Sequence, residues 1–135
     1  MNSKQKILAL VTDLYFTTRI ESTAEGLGYQ VVLLEQVSSV GEAVGNFSTY
    51  LKKVSPVVVF VDLNHAALPW EKWIIEAKND VEVKNIHIVC FGSHIDVETM
   101  KKAKDTGADE VLAKSRFVQV MGNLIQKYGD GIEDK

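Results

Sequence analysis

The chain of 135 residues is 46% apolar and 24% charged, the balance of one compact domain with a core of its own. A formal net charge of −3, with no long cluster of Lys or Arg, excludes a general nucleic-acid surface. Met1 is followed by polar NSKQK and a strand-length apolar run, so neither a secretory signal nor a membrane span is read and a cytoplasmic location is expected, while the single cysteine, Cys90, excludes an internal disulfide and reads as a small buried side chain.

KILALVT (Lys6 to Thr12) is the first strand-length run. Phe16, Ile20, Ala24 and Leu27 then recur at helical spacing, and Gly28 stands where a left-handed residue closes that helix. YQVVLLE (Tyr29 to Glu35) is the second strand. Ser39 and Glu42 have the spacing of a capping box, in which the hydroxyl accepts from an orphan amide while the carboxylate reaches back. Val40, Val44, Phe47 and Leu51 then form the apolar face of a second helix. VVVFV (Val57 to Val61) is the third strand. Trp70, Trp73, Ile74 and Ala77 mark the third helix, with Pro69 in its first turn, where a missing N–H is harmless. IHIVCF (Ile86 to Phe91) is the fourth strand; Asp96 caps a fourth helix to about Thr106, and Gly107 closes it. EVLAK (Glu110 to Lys114) is the fifth strand. Ser115 caps a fifth helix with Phe117, Met121, Leu124 and Tyr128 on its apolar face and Gly129 as its exit. One domain thus covers residues 1–129, and the tail 130–135 is expected to fray.

The middle strands are almost continuously apolar, which is what strands covered on both faces require, so the sheet is read as parallel. Five strands alternating with five helices give a doubly wound α/β domain. Ligands in such sheets bind beyond the carboxyl ends of the strands. That edge collects Thr12 and Asp13 after the first strand, Asp62 to His65 after the third, Gly92 to His94 after the fourth, and Lys114 with Ser115 after the fifth. Asp62 follows five consecutive apolar residues; it serves either as a cap of its own loop or as part of an acidic pocket with Asp13 and Lys114. His65 and His94 can reach the same rim, but their spacing matches no metal-ligand motif. His87, within a strand run, reads as a core or edge residue, and the two tryptophans as core packing. No glycine-rich phosphate loop, nucleophile elbow or zinc spacing is present, so no enzyme class is supported.

LVTD, VVVFVDLN and KAKDTGADEVLAK, in that order, resemble the receiver domain of bacterial two-component response regulators over nearly the whole chain. The resemblance implies a CheY-like, flavodoxin-like fold with strand order 2-1-3-4-5, and a stand-alone signalling protein of a phosphorelay. It implies Asp62 as phosphoacceptor, magnesium held by Asp13, Asp62 and the backbone carbonyl of Asn64, and Lys114 as the cation that pairs with the phosphate. The chemistry is coherent, because a carboxylate attacking a phosphoryl group approaches negative charge that a hard divalent cation and a lysine must offset. The implied partners are a histidine kinase or a small phosphodonor, and a downstream protein or second copy on the last two helices and fifth strand, a surface that includes Lys101, Lys102 and Lys104. Neither nucleic acid nor membrane is among them.

The departures mark an atypical branch. Thr12 stands in place of a second acid, which predicts weak magnesium binding. Gly92 replaces a phosphate-facing Ser or Thr, with Ser93 beside it; Val111 replaces a switch aromatic, Ser115 a proline, and NHAALPW a shorter turn. A second reading therefore stays open, a pseudo-receiver acting as an interaction module independent of phosphorylation. A third is a binder of another anion at the same crevice.

Overall fold

The computed structural model describes residues 4–65 and 67–130. Strands and helices alternate as β1 (Lys6–Leu10), α1 (Leu14–Gly26), β2 (Gln30–Leu33), α2 (Asn46–Val54), β3 (Val58–Asp62), α3 (Trp70–Lys78), β4 (His87–Gly92), α4 (Val97–Asp105), β5 (Glu110–Ala113) and α5 (Lys114–Gly129). The strands pair in parallel in the order β2-β1-β3-β4-β5, the doubly wound topology expected from the sequence.

Alternation along the strands divides the core into two layers. Leu8, Leu10, Val59 and Val61 pack with Phe47, Leu51, Trp73, Ile74 and Ala103 of α2, α3 and α4. Ile7, Ala9, Val58 and Phe60 pack with Phe16, Ile20, Phe117, Met121 and Ile125 of α1 and α5. Trp73 stacks on Phe47 at 4.8 Å between centroids, so it belongs to packing as read from the sequence, and Trp70 is half-buried against the same layer. His87 stacks on Tyr128 at 4.0 Å. Cys90 is fully buried, and burial, with a smaller contribution from Asp109, pushes its thiol up to about 12.

Local signals fixed most helix ends. Gly28 and Gly107 adopt φ of 88° and 96° after α1 and α4, and Asp96 accepts from the Thr99 N–H at 3.2 Å to cap α4. Two helix starts differ from expectation. The capping box at Ser39 and Glu42 does not open α2: Ser39 ends a single 3-10 turn (Val37–Ser39), α2 begins at Asn46, and Val44 is left 85% exposed. Gly41 and Gly45, at φ 99° and 92°, break the helical backbone between them. The orphan amides of Gly45 and Ser48 are instead taken by the Glu76 carboxylate of α3, at 2.9 and 2.8 Å. Likewise Ser115 does not cap α5, which begins at Lys114 directly from β5 with Ala113 at its N-cap and no side-chain cap. Asp130 follows α5 as its C-cap and accepts a hydrogen bond from the Tyr29 hydroxyl; the expected tail beyond it lies outside the described residues. Among the described residues no helix is long and apolar enough to cross a membrane.

Candidate acidic site

Asp62 is the last residue of β3, in register with Phe91 of β4. Strand alternation puts its side chain on the side of Val58 and Phe60, the layer covered by α1 and α5. It is 4% exposed. The backbone turns sharply after it: the Asp62 carbonyl accepts from the His65 N–H at 3.0 Å, and its Oδ1 accepts from the Asn64 N–H at 2.9 Å. Burial pushes the carboxyl above its ordinary range; the Asn64 N–H and the Lys114 ammonium act against that shift, Asp13 adds to it, and His65 acts against it. Asp13, Lys114 and His65 are thus all close enough to act on Asp62.

That shift has a sign that can be measured. Folding raises the pKa, so the native state holds the proton more tightly, and Asp62 contributes stability below the ordinary value of 3.8 that is lost as pH rises through the native pKa. Asp62→Asn keeps an acceptor for the Asn64 N–H and carries no charge. In magnesium-free buffer at about pH 7 it is expected to melt above the native chain, with the advantage shrinking as the native carboxyl takes up its proton. Melting curves across the acid range check this, and a variant less stable than the native chain at neutral pH contradicts it.

Asp13 sits before the first turn of α1 and caps it, its Oδ1 accepting from the Phe16 N–H at 3.2 Å. Lys114 is the first residue of α5, where the exit of β5 delivers it to the same edge. Its ammonium lies 5.6 Å from the centroid of the Phe16 ring. Among the described residues it makes no ion pair within 4.0 Å. The three positions predicted to converge are therefore gathered, but the lysine rests on an aromatic face instead of on a carboxylate. Phe16 is the site residue that sequence reasoning assigned to the core alone; its place three residues after an N-cap aspartate was the available signal.

The second oxygens of Asp13 and Asp62 accept no hydrogen bond among the described residues. Two free carboxylate oxygens, with the Asn64 carbonyl, suit a hard ion such as magnesium in kind. They leave much of the coordination shell to water, since no group of three His, Cys, Asp or Glu side chains is arranged to hold a metal ion among the described residues and Thr12 is exposed where a further acid would stand. His65 is buried, its Nδ1 accepting from the Ala67 N–H at 3.3 Å, which leaves the proton on Nε2, a buried donor without a partner among the described residues. His94 is exposed.

Gly92 has a packing reason to lack a side chain. A Cβ there would stand 3.3 Å from Cβ and Cδ1 of Leu63 and 3.4 Å from Met100 Sδ. A side chain at this position would need Leu63 and Met100 to give way by a few tenths of an ångström. Val111 is half-buried against the layer shared with α2, α3 and α4.

No protein-family model matches the chain, and no curated sequence is similar to it. Solved structures do match in fold. The phosphorylated cyanobacterial phytochrome response regulator RcpA aligns over 97% of this chain and 98% of its own, at 15% identity and a TM-score of 0.74. The receiver domain of the sensor histidine kinase PA1611 from Pseudomonas aeruginosa, with a magnesium ion coordinated in its active-site cleft, aligns over 93% and 98% at 16% identity and a TM-score of 0.73. Chemotaxis response regulator CheY4 of Vibrio cholerae aligns over 93% and 99% at 16% identity and a TM-score of 0.70. The chain has the CheY-like receiver fold.

Proposed function

We infer that the chain is a receiver-like signalling module of the cytoplasm in which Asp62 accepts a phosphoryl group. What supports this reading most is that Asp13, Asp62 and Lys114 stand at the carboxyl ends of β1, β3 and β5, on one edge of a parallel sheet of receiver type. The donor is the phosphohistidine of a histidine kinase or a small phosphodonor. An Asp62 oxygen attacks phosphorus, a carboxylate O–P bond forms, and the donor's P–N or P–O bond breaks with its electron pair passing to the leaving group. The Asn64 N–H holds one carboxylate oxygen and so orients the other. Asp13, Asp62 and the Asn64 carbonyl would hold magnesium, which when bound offsets charge on the transferring oxygens. Lys114 supplies a compact cation on a flexible stem. Output, to a downstream protein or a second copy, is assigned to α4, β5 and α5, where Lys101, Lys102 and Lys104 are exposed.

One observation favours the phosphorylation-independent reading: Gly92, packed closely beside Leu63, brings no hydroxyl to that position. Intact mass after incubation with magnesium and acetyl phosphate separates the two. The phosphoacceptor reading expects an acid-stable, base-labile adduct that Asp62→Asn lacks. Persistent absence of an adduct, together with no binding of beryllofluoride, leaves the interaction module.

A further inference from the structure

We propose that Phe16 is a positioning residue for Lys114: its ring holds the ammonium off Asp62 in the resting protein, and the lysine crosses to Asp62 when a phosphoryl group adds charge there. This rests on the phosphoacceptor reading and gives it a moving part. The Lys114 ammonium lies 5.6 Å from the Phe16 centroid, within the range of cation–π attraction, and has no carboxylate within 4.0 Å among the described residues.

The ring cannot easily follow the lysine. Phe16 is 8% exposed, its N–H is bound to the Asp13 carboxylate, and its ring packs on Phe91 at 5.0 Å. Phe91 in turn stacks on Phe117 at 4.1 Å and 7° between planes, and Phe117 follows Lys114 by one helical turn on α5. One residue therefore touches two of the groups that act on Asp62: its N–H is bound by Asp13 and its ring receives Lys114. The Lys114 stem is the mobile element, with a ring face at one end of its reach and a buried carboxylate as the competing partner. A singly charged Asp62, already bonded to the Asn64 N–H, leaves the ring competitive; a phosphoryl group with more negative charge does not.

Removing the ring removes a contact made only in the resting state, so Phe16→Leu is expected to bind beryllofluoride, in the presence of magnesium, about two- to fivefold more tightly than the native chain. In a Lys114→Met background the same substitution is expected to change nothing, because the effect acts through the ammonium. A merely structural role for Phe16 predicts the opposite, weaker binding in both backgrounds. The native protein supplies a readout that needs no variant to fold: ring current from Phe16 shifts the Lys114 side-chain methylene protons upfield, and beryllofluoride returns them toward their ordinary positions. Unshifted methylenes in the native protein, unchanged or weaker binding by folded Phe16→Leu, or tightening that persists with Lys114→Met each overturns the proposal. Upfield methylenes in a protein that binds no beryllofluoride locate the failure in the phosphoacceptor reading, and the crossing of the lysine falls with it.

Discussion

Phe117→Ala is expected to lower the stability of the folded chain by about 3–5 kcal/mol, a large part of what a domain of this size holds. The side chain is fully buried, lies flat on Phe91 at 4.1 Å, and meets Phe60 edge-on at 5.0 Å and 81°. Both partners stand on β3 and β4, interior strands of the sheet, which hydrogen bonding on each side prevents from closing around the space left behind. A cavity that cannot collapse carries the larger penalty of the range. Urea unfolding is the measurement, with a lower midpoint at an unchanged slope as the expected result. A loss under about 1 kcal/mol would mean that the ring row between α1, the sheet and α5 contributes little to holding them together. Because Lys114 rides on the same helix one turn earlier, the variant should also loosen its placement over Phe16.

The parallel, doubly wound character of the sheet was readable in the chain because it follows from few constraints, whereas the strand order came only with the resemblance to receiver domains. Near-continuous apolar runs force parallel strands covered on both faces, and parallel strands force crossovers of one hand. Gly28, Asp96 and Gly107 were readable for a similar reason, each acting within a few residues of itself. The start of α2 was not. Its amides are satisfied by Glu76, 31 residues beyond Gly45, and a partner that far along the chain leaves no local trace, whereas Ser39 and Glu42 offered a local pattern that Gly41 and Gly45 overrode. Ser115 failed differently, because β5 feeds into α5 without an intervening loop and leaves the cap position to Ala113. In the site, the order of Asp13, Asp62 and Lys114 along the strands was enough to predict which edge they share. The seat of Lys114 on Phe16, and of Leu63 beside Gly92, depends on side-chain directions that spacing does not specify.

Lys78→Met is expected to destabilise the chain by about 2–3 kcal/mol without changing chemistry at Asp62. The Lys78 ammonium donates to the Lys84 carbonyl at 3.0 Å, the Ile86 carbonyl at 2.9 Å and Asp109 Oδ2 at 2.7 Å. The same Asp109 oxygen accepts from the Ile88 N–H at 2.7 Å. One cation thus ties the end of α3 to the segments that enter β4 and β5. With side chains 15% and 32% exposed, the ion pair itself is partly screened, so most of the loss comes from the two carbonyls left without a donor and from the Asp109 charge left beside them. Methionine keeps the apolar stem that lies against Gly107, where a Cβ would meet Lys78 Cγ at 3.3 Å, so the substitution isolates the ammonium. Asp109→Asn should lose less, since its amide oxygen still accepts from Ile88. These contacts lie at the amino-terminal edge of the sheet, opposite the edge that carries Asp62, Asp13 and Lys114. Separated sites of this kind are expected to act independently, so Lys78→Met should bind beryllofluoride as the native chain does once both are fully folded. Denaturation alongside that titration distinguishes scaffold from site: a stable Lys78→Met contradicts the clasp, and altered binding in folded protein shows that the two edges are coupled.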